Sequence, residues 1–156
     1  MRLKPTKGLE LLSFIVPGKA EPGGSKRALP IRGKPGARPI VVDANPKVHA
    51  WRDRVASYAA KARVGMAVLD GPLRLEVTIR RLRPKGHYGK KGLNKKGRET
   101  PYPTTKPDTT KLLRAIEDAL NGIVWRDDAQ VVEQVARKVW GDQQEAEIRI
   151  TPMEET

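Results

Sequence analysis

The chain has 156 residues, room for about one domain with its own core. Lysine and arginine number 31 against 18 acids, a net charge of +13, so the expected partner is a polyanion whose phosphates take up the surplus cations. No cysteine is present, which excludes disulfides, thiolate zinc sites and a cysteine nucleophile. No apolar run approaches the roughly 18 residues of a membrane span, and the N-terminus lacks a signal-type apolar core, so a cytoplasmic protein is expected.

Taken in order, residues 9–16 (LELLSFIV) form a short apolar run closed by Pro17-Gly18, which predicts a buried strand. Residues 17–37 are rich in Gly, Pro, Lys and Arg without apolar period, a mobile basic loop whose Lys19, Lys26, Arg27, Arg32 and Lys34, with Arg38 at its edge, are candidates for contacts to nucleic acid on a second side. Residues 38–42 (RPIVV) predict a second strand, hairpin-paired with the first. Asn45-Pro46 then signals a helix start, with Val48, Trp51, Val55, Tyr58 and Ala62 at helical spacing and Gly65 as the stop. After the turn Asp70-Gly71-Pro72, the alternation of Leu73, Leu75, Val77 and Ile79 with charged residues predicts a strand buried on one face.

Residues 83–107 carry eight cations and one acid, Glu99, among four glycines and four prolines. Such a segment buries too little apolar surface to offset ordering, and flexibility is expected. Lys85, Lys90, Lys91, Lys95, Lys96, Arg98 and Lys106 there, with Lys111 just beyond, are the candidates for contacts to a nucleic-acid backbone. The bland explanation is a solubilising tether. A helix over 108–121 follows, its stripe formed by Leu112, Leu113, Ile116, Ala119, Leu120 and Ile123. Two further strands close the chain, around Val131–Val139 and Glu145–Ile150, joined at Gly141-Asp142. The order β-β-α-β-α-β-β predicts an α+β domain, two helices on a mixed, largely antiparallel sheet.

The chemistry concentrates in KPDTTKLLRAIEDALNGIVWRDDAQVV, residues 106–132. Asp108 stands where a carboxylate caps a helix and meets its positive dipole end, which alone would account for it. Asp127-Asp128 before a strand reads equally well as a solvated turn. The other reading makes them oxygen ligands of a hard divalent cation such as magnesium, held by Asp108, Asp128 and Asp127. Arg114 or Lys111 would then offset charge building up on a phosphodiester under attack. A helix of 14 residues is roughly 21 Å long, so the chain must run back along it after Gly122 for Asp108 and Asp128 to meet. His49 and His87 are isolated and take no role, and no phosphate-loop or GxSxG pattern occurs.

This stretch resembles the RusA family of Holliday-junction resolvases, phage-type members in particular, whose pattern is D-x-D-N-L-x-K-x-x-x-D-A-L, a turn, then W-x-D-D-A/S-Q-V. The matching residues are Asp108, Leu112, Asp118-Ala119-Leu120, Trp125, Asp127-Asp128, Gln130 and Val131. The resemblance implies a homodimeric, magnesium-dependent (manganese as substitute) endonuclease that makes paired nicks in four-way junction DNA during recombination and repair. It puts the catalytic acids on Asp108 and Asp128, with Asp127 beside the latter, and the helix lysine on Arg114. The family's second Asp falls on Thr110, so metal binding is weaker or another acid substitutes. Glu117 lies opposite Asp108 on the helix, and Asp118 reads as structural. The competing readings are a branched-DNA-binding protein with weak or no catalysis and, from charge alone, an RNA-binding protein.

Overall fold

A computed structural model describes residues 3–5 and 12–155. The strands are β1 (Leu3–Pro5), β2 (Leu12–Pro17), β3 (Lys26–Leu29), β4 (Ile40–Asp43), β5 (Leu73–Leu82), β6 (Tyr88–Gly89), β7 (Gly92–Leu93), β8 (Val131–Gly141) and β9 (Glu145–Glu155). The helices are α1 (Val48–Ala62), α2 (Lys95–Glu99) and α3 (Thr109–Leu120). The fold is α+β, with a mixed, mostly antiparallel sheet.

Period two in β5 and β9 decides the layering. Leu73, Leu75, Val77 and Ile79 point to one face, joined there by Ala146, Ile148 and Ile150, and all are buried. α1 and α3 cover that face with Val48, Trp51 and Val55 from one helix and Leu112, Ile116 and Leu120 from the other. At about 25 cal/mol per Å² of apolar area, this burial is the main stabilising term. The alternate residues of the strands build a lattice of ion pairs on the open face. Arg80 meets Glu147 at 2.6 Å and Arg137 meets Glu76 at 2.6 Å. The arginines hold both carboxylates below the usual glutamate range.

β5 is the centre of the main sheet, antiparallel to β9 and parallel to β8. The two last strands therefore flank β5 and do not pair with each other; the turn after Gly141 carries the chain past the end of β5. β1 and β2 both pair with β9 along its length. The expected hairpin between the first strand and RPIVV does not form. β2 turns Leu12 and Val16 into the core beside β9, whereas β4 pairs with β3, leaving Ile40 and Val41 more than half exposed. Residues 9–11 of the first predicted strand lie outside the described residues. The stretch 17–37, read as irregular, thus contributes β3, whose Lys26 binds Asp43 across the hairpin at 2.5 Å.

α1 begins two residues later than the Asn45-Pro46 signal. Asn45 forms a turn instead, its side-chain oxygen accepting from the Lys47 amide and its amide donating to Glu21. Residues 83–100 hold a short 3-10 turn, the β6–β7 hairpin and α2. Arg83 donates to the carbonyls of Gly97 (2.8 Å) and Thr100 (3.1 Å), and Trp140 of β8 donates to Thr100 at 2.9 Å. His87 is buried edge-on to Trp140, and burial with the charges of Arg83 and Lys96 pushes its pKa down. No helix among the described residues is long and apolar enough to cross a membrane.

Candidate active site

α3 forms because Leu112, Ala115, Ile116, Ala119 and Leu120 recur at three- and four-residue spacing and bury one stripe. Asp108 occupies its N-cap position with extended backbone, yet its carboxylate makes no capping hydrogen bond. That carboxylate is more than half exposed and lies 3.7 Å from Lys111. Capping therefore does not account for Asp108.

Asp127 and Asp128 have different settings. Asp127 accepts from the Ala129 amide at 2.8 Å and completes a capping box with Gln130, whose side-chain oxygen accepts from the amides of Arg126 and Asp127. The Gln130 amide group donates to the carbonyls of Leu69 and Gly71, tying this turn to the loop before β5. Asp127 thus commits one oxygen to the scaffold. Asp128 is half-buried and accepts from the indole N–H of Trp125 at 2.9 Å. Trp125 is itself fully buried, so the Asp128 carboxylate is aimed by the core. Trp, Asp, Gln and the adjoining carbonyls are carpentry for one carboxylate.

Asp128 opens into a cleft lined by Thr110, Leu113, Arg114, Glu117, Asp118 and Gln134. Thr110, Arg114 and Glu117 are spaced four and three apart, on one face of α3. Gln134 of β8 donates to Glu117. Burial, and then the negative charge of Asp128, raise the Glu117 pKa above the ordinary glutamate value. Glu117, opposite Asp108 on the helix, faces Asp128. Its signal in the sequence is the seven-residue spacing from Thr110. Asp118 lies 3.2 Å from Arg52 of α1.

Arg114 runs its side chain over Gly24, where an added Cβ would stand 2.8 Å from the Arg114 Cδ; Gly24 also has φ +87°. Among the described residues no group of three or more His, Asp or Glu is gathered closely enough to hold a metal. Asp108 lines an adjoining depression with Asn45, Lys106, Pro107 and Lys111. Lys138 of β8 donates to the carbonyls of Thr105 and Pro107 and so fixes the backbone leading into Asp108. Lys85, Lys90, Lys91, Lys95, Lys96 and Arg98 are exposed on the 83–100 substructure. Two of them have local partners: Lys95 lies 3.8 Å from Glu99, and Arg98 donates to the Leu93 carbonyl.

The model of the family "Endodeoxyribonuclease RusA" matches residues 30–151. The chain belongs to the RusA endodeoxyribonuclease family. A relative in Bacillus subtilis (strain 168), the uncharacterized protein YqaN, is 31% identical over 115 residues, covering 68% of this chain and 80% of that protein. The RusA match takes in both ends of α3, the Asp128 turn and the 83–107 segment.

Proposed function

We propose that this RusA-family chain resolves four-way junction DNA by metal-dependent phosphodiester hydrolysis, in recombination and repair within the cell. The observation that supports the reading best is the Asp128 carboxylate, aimed by buried Trp125 into a cleft that also holds Thr110, Arg114 and Glu117. The donors are hard oxygens, which suit magnesium, with manganese as a substitute, and magnesium needs only one or two carboxylates beside water and phosphate. Asp128 and Glu117, the two carboxylates that face each other across the cleft, would hold it, with Thr110 offering only a hydroxyl there; Asp108 opens into the adjoining depression and would have to turn toward them to bind the same ion. Asp127, with one oxygen capping the turn, is the weakest ligand of the set. A bound magnesium supplies an acidified water and offsets charge on the leaving oxygen. Arg114 binds the scissile phosphate and stabilises its added charge. Lys85, Lys90, Lys91, Lys95, Lys96, Arg98, Lys106 and Lys111 contact the DNA backbone.

Among its described residues each chain has one such cleft, and paired nicks on a two-fold junction need two, so a homodimer is part of the proposal. The second reading, a branched-DNA-binding protein without catalysis, draws on Thr110 and on the absence of a three-acid group among the described residues. Incubation with a synthetic four-way junction and with linear duplex, with and without magnesium, separates the two. Paired nicks on the junction in magnesium are expected. Tight junction binding without cleavage in magnesium or manganese would establish the second reading instead.

A further inference from the structure

Three depressions on the surface share their walls. One, between Lys19, Lys47, Trp51 and Arg54, shares Lys19, Glu21 and Lys47 with a second that reaches Arg81 and Lys106. The second shares Pro22, Asn45, Lys106 and Pro107 with the third, which ends at Asp108 and Lys111. They form one groove that leads from the first turns of α1 to Asp108. Its cations are Lys19, Lys47, Arg54, Arg81, Lys106 and Lys111; its acids are Glu21 and Asp108. Asn45 donates to Glu21 at 3.0 Å and Lys111 lies beside Asp108, so both acids have partners inside the groove.

The groove is built rather than draped. Arg81 donates to the Lys106 carbonyl at 2.9 Å, closing the floor between β5 and the segment before α3. Arg54 donates to the Pro17 carbonyl, and the Gly23 amide donates to the Lys111 carbonyl, pinning residues 17–23 as one wall. Lys19 and Lys47 stand exposed at the end away from Asp108.

We propose that this groove holds the phosphate backbone of a DNA strand and leads it from Lys19 and Lys47 to the reacting phosphate beside Asp108. The inference rests on the nuclease reading and adds a path to it: α1 and residues 17–23, not only the 83–107 segment, carry the DNA. Each cation set on a phosphate releases counterions and adds to the salt dependence of binding.

The test compares junction binding over a range of salt for Lys19→Gln, Lys47→Gln and Lys61→Gln. Lys61 sits in the last turn of α1, whose N-cap is Lys47, and lies outside the groove; its replacement removes the same charge. Lys19→Gln and Lys47→Gln are each expected to lower the slope of log affinity against log salt by about 1, and Lys61→Gln to leave it unchanged. Equal slopes for Lys47→Gln and Lys61→Gln, whether both fall or neither does, would overturn the groove. Failure of the nuclease reading looks different: the wild-type chain binds the junction without cutting it, and the slopes still separate the variants.

Discussion

The two acids beside α3 are set in the site on different principles. At the Asp128 end, a carboxylate is fixed by a buried tryptophan and faces a second, partly buried acid, Glu117. At the Asp108 end, the carboxylate is exposed, its partner is a lysine, and it opens onto a cationic groove. One end concentrates negative charge where a cation would relieve it; the other surrounds a single acid with positive charge where phosphates would gather. The difference separates holding a metal from delivering DNA, although both acids belong to the same proposed reaction.

The largest effect expected is on cleavage. Asp128→Asn and Asp108→Asn each lose cutting by about a hundredfold or more, because each removes charge that the transition state uses. Binding divides them. Without metal, Asp108→Asn binds the junction at least as tightly as wild type, since it removes an acid from the path of the phosphates. Weaker binding in that variant than in Asp128→Asn, by titration in chelator, would erase the proposed distinction between the two ends.

A smaller effect tests whether the Asp128 end is a rigid scaffold. Gln130→Ala breaks hydrogen bonds to two amides and two carbonyls. Most of these bonds are exposed, where each contributes about 0.5 kcal/mol net, so a loss of roughly 2 kcal/mol for the four and a fall in Tm of about 4–8 °C are expected. Cleavage should fall with it at a temperature where the variant is still folded. Unchanged Tm would mean that the turn is held by something else.

The smallest effect is electrostatic. Glu117 has a raised pKa in the folded chain, so its ionised form costs stability at neutral pH. That cost is absent below the ordinary value of 4.5 and grows as pH rises through the folded value. Glu117→Gln should therefore raise Tm at pH 7 by roughly 1–3 °C, an advantage that shrinks toward pH 4. The Gln134 contact survives, because an amide oxygen also accepts. Magnesium should stabilise wild type more than this variant in the same melting experiment. An equal shift in both would take Glu117 out of the metal site.

Much of the fold was legible because it is periodic. Leu73 to Ile79 and Ala146 to Ile150 alternate, and the α3 stripe repeats at helical spacing; these patterns are dictated by the core itself. The partner of RPIVV was not legible, since pairing depends on which strand has apolar residues to bury, and Ile40 and Val41 bury little. The small structure in residues 83–100 was hidden for a related reason: its anchor, Trp140, lies forty residues away from Thr100. Asp128 stood out by its motif, but the work of Trp125 and Gln130 in aiming it did not. That Glu117 faces Asp128 depends on how the chain returns along α3 after Gly122, which helix periodicity alone does not give.

Strand β8 ties these ends together in a way that constrains how the chain can change. Gln134 meets Glu117, and four residues on, Lys138 grips the carbonyls just ahead of Asp108. An extended strand advances about 3.3 Å per residue, so β8 works as a ruler laid along α3. Adding or deleting one residue between Asp128 and Lys138 would turn every later side chain to the wrong face of the sheet. The distance between the two acids is thus written in the length of a strand. By contrast, the turn after Gly141 lies beyond the ruler's last mark, and its Gln144 carbonyl takes the Gly18 amide, so its length bears on the groove wall and not on the spacing of the acids.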